Sequence, residues 1–255
     1  MQDIYIVDEG KGFPLVLVHG FLGSSIMWKP QIDFLKEKFR VILQDLPGFG
    51  KSKNLKSFDS INLMANSIFD CLKINKIEKF HLLGHSMGGM IVQEMAKIDG
   101  DKIAKLICYS TGSLGELPGR FETIDESREK LKVNGLSLTT KNIAKTWFVS
   151  GEKARYFNIC IQSGKETSLE AADNALIAMK KFNGTSYLKN IKNETLIIWG
   201  DNDRSYNFRQ VDILNENIPK SEMKIFKGCA HNVHLEKPEE FNRTVINYLN
   251  KQQNN

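Results

Sequence analysis

The stretch Gly84-His85-Ser86-Met87-Gly88-Gly89 constrains this chain more than any other. It follows Lys79-Phe80-His81-Leu82-Leu83, an apolar run of strand length, and precedes Met90-Ile91-Val92-Gln93-Glu94-Met95-Ala96, which reads as the start of a helix. A serine between two such elements sits on a turn so tight that the residues two positions either side can carry almost no side chain. Glycine tolerates both the close approach and the strained backbone. The turn lifts the Ser86 hydroxyl above the strand end and sets the free N–H groups of the next helix behind it. The bland alternative is a glycine-rich turn whose exposed serine does no chemistry, so the rest of the chain has to decide.

Along the chain, strand and helix alternate. Residues 4–7 suit an edge strand. Pro14-Leu15-Val16-Leu17-Val18 and Arg40-Val41-Ile42-Leu43-Gln44 are apolar on both faces, as in strands covered by helices on each side. Helices are expected at about 28–38, over 58–74 from the spacing of Ile61, Met64, Ala65, Ile68, Phe69 and Leu72, and after Ser86 to about 98. Ile103-Ala104-Lys105-Leu106-Ile107-Cys108-Tyr109 is a further strand. This rhythm predicts an α/β protein with a mostly parallel, twisted sheet and right-handed crossovers. It breaks between 113 and 189, where no convincing buried strand occurs and helix-like segments fall at 122–133, 140–149, 152–163 and 168–182. So long a connection predicts a helical lid inserted between two core strands, with 1–112 and 190–255 forming the core. The pattern resumes with strands at 194–199 and 223–226, a helix at 208–217 and a last helix opening at Pro238; residues 251–255 are expected to fray.

Composition removes several function classes. An apolar fraction of 41% over 255 residues supports a large core without staples. The net charge of +5 comes from scattered lysines rather than a basic block, which argues against nucleic acid as a partner. Cys71, Cys108, Cys160 and Cys229 show neither paired nor metal-ligand spacing, which suits a reducing compartment. The start Met1-Gln2-Asp3-Ile4-Tyr5 lacks a basic n-region and an apolar h-region, and no apolar run approaches the ~20 residues of a membrane span. The expectation is a cytoplasmic protein with no membrane partner. No histidine pattern suits a metal and no glycine-rich nucleotide loop occurs, so no metal and no cofactor is expected. The sequence is silent on oligomeric state.

A serine hydroxyl becomes a nucleophile when a histidine, oriented by a carboxylate, takes its proton. In parallel α/β sheets such partners sit on loops after the carboxyl ends of strands. Asp201 and Asp203 follow the strand at 194–199, and His231 and His234 follow the strand at 223–226. The order serine, acid, histidine is that of an α/β-hydrolase triad.

Four motifs carry a resemblance that spans nearly the whole chain: His19-Gly20-Phe21, Asp45-Leu46-Pro47-Gly48-Phe49-Gly50-Lys51-Ser52, Gly84 to Gly89, and Gly200-Asp201-Asn202-Asp203 with Ala230-His231. The chain resembles α/β-hydrolase-fold serine hydrolases, in particular small carboxylesterases and 3-oxoadipate enol-lactonases. The resemblance implies Ser86 as nucleophile, His231 as base and Asp203 as orienting acid. It implies an oxyanion hole from the backbone N–H groups of Phe21 and Met87. It makes His234 a pocket-lining or structural residue, His85 and His81 packing residues, and His19 a brace for the oxyanion loop. Asp45 anchors its turn. The implied activity is hydrolysis of a small-molecule ester or lactone. The tail from Trp199 to Arg243 also resembles meta-cleavage C–C hydrolases, although His85 and Asn232 stand where those enzymes usually carry asparagine and tryptophan. A non-catalytic ligand-binding protein on the same fold is the third alternative. Within the expected lid, Trp147 and Phe148 are the candidate walls of the substrate pocket, because ligand sites are mostly apolar.

Overall fold

A computed structural model of the chain describes residues 4–116 and 122–251, so the fraying expected at 251–255 lies, apart from Lys251, outside the described residues. Seven strands form one sheet: β1 (Ile6–Glu9), β2 (Pro14–Val18), β3 (Arg40–Gln44), β4 (Phe80–His85), β5 (Ile103–Tyr109), β6 (Thr195–Gly200) and β7 (Ser221–Phe226). Their order is β1-β3-β2-β4-β5-β6-β7. Only the edge strand β1 runs antiparallel, against β3. The period of two along each strand explains the double cover. Leu15, Leu17, Leu43, Leu83, Ile107 and Ile198 face one layer, where they meet Trp28, Leu35, Phe241 and Val245. Val16, Val18, Ile42, Leu82, Leu106 and Ile197 face the other, against Met64, Ile68, Ile91 and Met95. The first layer is built by α1 (Lys29–Leu35) and α9 (Pro238–Asn250), the second by α2 (Ile61–Ile74) and α3 (Met87–Asp99).

Two expected elements differ in detail. The helix expected at 28–38 is shorter, a single turn over Ser25–Trp28 leading into α1, whose Pro30 sits in the first turn. A four-residue helix, α8 (Val233–Glu236), stands between β7 and α9, too short to leave a periodic signal. The remaining helix of the core, α7 (Phe208–Asn217), begins with a reciprocal cap between Asn207 and Gln210.

Between β5 and β6 the described chain is helical. It contains α4 (Ile124–Thr146), α5 (Phe157–Lys165) and α6 (Leu169–Lys181), and a bridge between Leu114 and Asn183 joins the two ends of the segment. Two expected helices, 122–133 and 140–149, are the halves of α4. Gly135 separates them with φ 69° and ψ 174°, a conformation that suits glycine. The helix ends at Thr146, so Trp147 and Phe148 lie in the turn beyond it rather than on a helix. The segment reaches the loops at the carboxyl edge of the sheet through Ser163 Oγ, which donates to the Leu22 carbonyl (3.0 Å), and Ser168 N–H, which donates to the Gly48 carbonyl (2.8 Å).

The loop after β3 is organised by one buried carboxylate. Asp45 Oδ1 accepts from Ser25 N–H (2.6 Å) and Oδ2 from Lys51 N–H (2.9 Å), which joins the loops after β2 and β3. Asp45→Asn replaces one acceptor with a donor that faces another N–H. We expect a loss of about 1–3 kcal/mol in urea unfolding; a change below about 0.5 kcal/mol would show that the two N–H groups find other partners.

Three histidines, His19, His85 and His234, are also buried at this edge. Loss of hydration lowers all three from the ordinary 6.5, His234 to about 3. Their folded-state values are lowered, so the unfolded chain binds more protons below about pH 6.5, and stability present above that pH is lost as it falls. A ring that is protonated in the unfolded chain and neutral in the folded one contributes about 1.4 kcal/mol of this loss per pH unit. The urea midpoint should therefore drop markedly between about pH 7.5 and 5.5. A flat midpoint over that range would mean that these rings take up protons without leaving their sites.

Candidate active site

At the junction of β4 and α3, Ser86 adopts φ 56° and ψ −117°, a conformation that few residues with a Cβ occupy. The surroundings impose it. Ser86 N–H donates to the Tyr109 carbonyl (2.9 Å), and the Ser86 carbonyl accepts from Gly89 N–H (2.8 Å) and Thr111 Oγ1 (2.8 Å). A Cβ on Gly84 would run into the Gly88 carbonyl, and one on Gly88 into the Val18 carbonyl. Close packing of strand, turn and helix thus demands both glycines of the motif.

The loop after β2 lies against Ser86. A Cβ on Gly20 would come within 3.0 Å of Ser86 Cβ and 2.9 Å of the His85 carbonyl. Gly20 to Gly23 form a tight turn closed by Gly23 N–H on the Gly20 carbonyl (3.0 Å), with Leu22 at φ 56°. His19 ties this turn to the loop after β3. Its Nε2 accepts from Leu46 N–H (3.0 Å), so its Nδ1–H donates to the Gly20 carbonyl (2.9 Å). Both bonds together require the neutral ring, which burial favours. Phe21 lies in this turn, and Met87 opens α3 directly after Ser86.

Asp203 and His231, the candidate acid and base, meet across the loops after β6 and β7. His231 Nδ1–H donates to Asp203 Oδ2 at 2.8 Å, and both side chains are almost wholly buried. The other Asp203 oxygen accepts from the N–H groups of Ser205 (2.7 Å) and Tyr206 (3.3 Å). This leaves the carboxylate fixed in place. Asp201 points elsewhere and accepts from Gly228 N–H at 2.7 Å in the turn after β7. The His231 ring packs between aromatic rings, parallel to Tyr206 at 5.9 Å and with Trp147 at 6.3 Å. Trp147 therefore stands beside the candidate base.

Two other candidates for the pocket lie elsewhere. Phe148 packs on Phe157 and lines a separate cavity of 320 Å³ with Leu235 and Glu236. His234 is a correction to the expected pocket lining: it is fully buried beneath the site, 4.8 Å from the Trp28 ring, with Nδ1 2.9 Å from Tyr109 Oη. Its geometry is that of a packing residue. His85 is also buried, stacked on Tyr109 at 4.5 Å, with Nε2 3.3 Å from the His231 carbonyl. His81 is half-buried between Phe13 and Phe39, and its Nδ1 has no partner among the described residues.

Further residues support the histidine loop without a signal in the sequence. Tyr109 Oη donates to the His231 carbonyl (3.0 Å). Glu236 accepts from Ala230 N–H (2.6 Å) and from Val149 N–H (2.8 Å), and burial pushes its carboxyl up. Asn232 N–H donates to the Trp147 carbonyl (3.0 Å). The turn carrying Trp147 is in this way hydrogen-bonded to the loop carrying His231.

Comparison with known proteins matches this arrangement to a family. The family model of the alpha/beta hydrolase fold matches residues 14–238, from β2 to the start of α9. The chain is 28% identical to a 2-hydroxy-6-oxononadienedioate/2-hydroxy-6-oxononatrienedioate hydrolase of Comamonas testosteroni, over 96% of this chain and 91% of that one. It is 29% identical to a pimeloyl-[acyl-carrier protein] methyl ester esterase of Legionella pneumophila, over 90% of this chain and 92% of that one. An esterase structure from Exiguobacterium antarcticum shares the fold with a TM-score of 0.90 at 24% identity, covering 97% and 96% of the two chains. With the elbow at Ser86, the seven-stranded sheet and a family match over nearly its full length, the chain belongs to the alpha/beta hydrolase family.

Proposed function

We propose that this protein hydrolyses a carboxylic ester or lactone of a small molecule through an acyl-enzyme on Ser86. The observation that carries this reading is the buried 2.8 Å hydrogen bond between His231 and Asp203, on loops beside the strained serine. With its Nδ1–H held by Asp203, His231 presents Nε2 as the base that takes the Ser86 proton. Ser86 Oγ then adds to the substrate carbonyl. The negative charge that develops on the carbonyl oxygen is stabilised by the N–H groups of Phe21 and Met87, the second at the positive end of α3. The alcohol leaves with the proton from His231, and water enters by the reverse path to release the acid. The helices α4, α5 and α6 between β5 and β6 act as a lid whose Trp147 forms a wall of the acyl pocket.

An uncharged acyl group fits the surroundings. Phe21, Leu22, Met87 and Trp147 are apolar and buried. Lys105 is the one buried lysine or arginine among the described residues, and it donates to the carbonyls of Tyr248 (3.0 Å) and Lys251 (2.7 Å) at the end of α9. The likeness to the Comamonas hydrolase favours C–C bond hydrolysis as a second reading. Its named substrates are dicarboxylates, for which a buried cation near Ser86 would be the natural partner.

Release of nitrophenol from a series of short to long acyl esters, together with labelling by a serine-reactive phosphonate, tests the reading. Ser86→Ala should abolish both while the protein stays folded. His231→Ala should lower kcat by a factor of order 10³ or more, because triad members act as a unit. A folded His231→Ala variant near wild-type activity, with His234→Ala inactive, would move the base to His234. No labelling and no turnover in the wild type would leave a non-catalytic binding protein.

Trp147→Ala should shift the preferred acyl length, or raise KM, by more than it lowers thermal stability. The backbone carbonyl that pairs with Asn232 is retained in that variant. An unfolded variant whose residual activity keeps the wild-type selectivity would make Trp147 a core residue only.

A further inference from the structure

Ser163 on α5 lies far in sequence from every catalytic motif, yet its side chain is fully buried against the loop after β2. Its Oγ is 3.0 Å from the Leu22 carbonyl and 2.8 Å from Ser24 Oγ. A carbonyl only accepts, so Ser163 Oγ–H donates to Leu22, and the remaining proton, on Ser24 Oγ, points to Ser163 Oγ. Both loop residues are themselves buried. Water is therefore a poor substitute for either bond.

The loop needs this support. Leu22 holds φ 56°, a left-handed conformation that its Cβ disfavours and that persists only where neighbours enforce it. The turn is fixed at its start by the two bonds to the Gly20 carbonyl, from His19 and from Gly23. Ser163 fixes its other half. Phe21 N–H, one of the two donors assigned to the oxyanion, belongs to the same peptide as the Gly20 carbonyl. The Leu22 carbonyl belongs to the same peptide as the Gly23 N–H that bonds the Gly20 carbonyl, so Ser163 bears on the donor's peptide through the Gly23–Gly20 hydrogen bond.

We propose that Ser163 is a positioning residue for the oxyanion hole: its buried hydroxyl holds the Leu22 carbonyl and so aims the Phe21 N–H at the substrate oxygen. The helical segment between β5 and β6 is then part of the catalytic apparatus as well as its cover. This inference rests on the assignment of Ser86 and Phe21 above. Its chemical logic is that donors aimed at developing charge act through placement, so a small rotation of one peptide weakens the transition state more than the bound ester.

The test compares wild type, Ser163→Ala and the nearly isosteric Ser163→Cys, whose thiol is a weak donor. The readouts are ester hydrolysis and the affinity for phenylboronic acid, which takes serine Oγ onto boron as a tetrahedral mimic of the transition state. In Ser163→Ala, kcat should fall about tenfold or more with KM within about twofold, and boronate affinity should fall with kcat. Ser163→Cys should lie between the two, and it decides the matter if the alanine variant does not fold. A folded variant with kcat and boronate affinity within about twofold of wild type would overturn the proposal. A loss that appears equally in KM would do the same, because it would mark a general packing defect. If wild type itself fails to bind the boronate or to lose activity as Ser86→Ala, the fault lies in the active-site assignment and not in Ser163.

Discussion

The strained turn at Ser86 is the constraint on which the rest of this structure depends. A serine at φ 56° between a central strand and a helix is unfavourable in isolation. It holds here because the end of β5 supplies the carbonyl of Tyr109 and the loop after it supplies Thr111, and because Gly84 and Gly88 let strand and helix touch. Those contacts need β4 at the centre of a parallel sheet with helices on both faces. The architecture and the strained serine are therefore one arrangement viewed at two scales.

Around that turn, a connected set of buried hydrogen bonds joins loops that are distant in sequence. His19 links the loops after β2 and β3, and Asp45 links them again. Tyr109 holds the carbonyl of His231, while Glu236 joins Ala230 to Val149 across to the inserted helices. Buried polar groups of this kind are costly unless each has a partner, so a satisfied network fixes loop positions far better than apolar contact does. Burial disfavours the charged forms of His19, His85 and His234 beside this network. This keeps positive charge from building up around His231.

The helical segment between β5 and β6 brings two kinds of residue to the site. Trp147 packs beside the His231 ring. Ser163 instead reaches the backbone of the loop after β2. Residues that shape a pocket can vary with the substrate, while one that holds a strained loop answers to the reaction itself. The inserted segment therefore meets both the loop carrying His231 and the loop after β2 in a single piece of chain.

Much of this was legible in the sequence. Alternating apolar strands and helical periodicities specified a parallel α/β sheet, because burial on both faces leaves uninterrupted aliphatic runs. The glycines flanking Ser86 marked the turn, since local sterics admit little else there. Proximity alone could not separate Asp203 from Asp201, or His231 from His234; in each pair both residues follow the same strand. Tertiary structure tells them apart, pairing Asp203 with His231 and packing His234 against Trp28. It also decided the end of α4 at Thr146, which turned Trp147 and Phe148 in different directions, and the contact of Ser163 with Leu22. The division has a physical basis. Backbone strain and hydrophobic period are properties of neighbours along the chain and leave a local pattern. A hydrogen bond between positions 141 residues apart leaves none, because a buried serine differs from any other serine only by what the fold places against it.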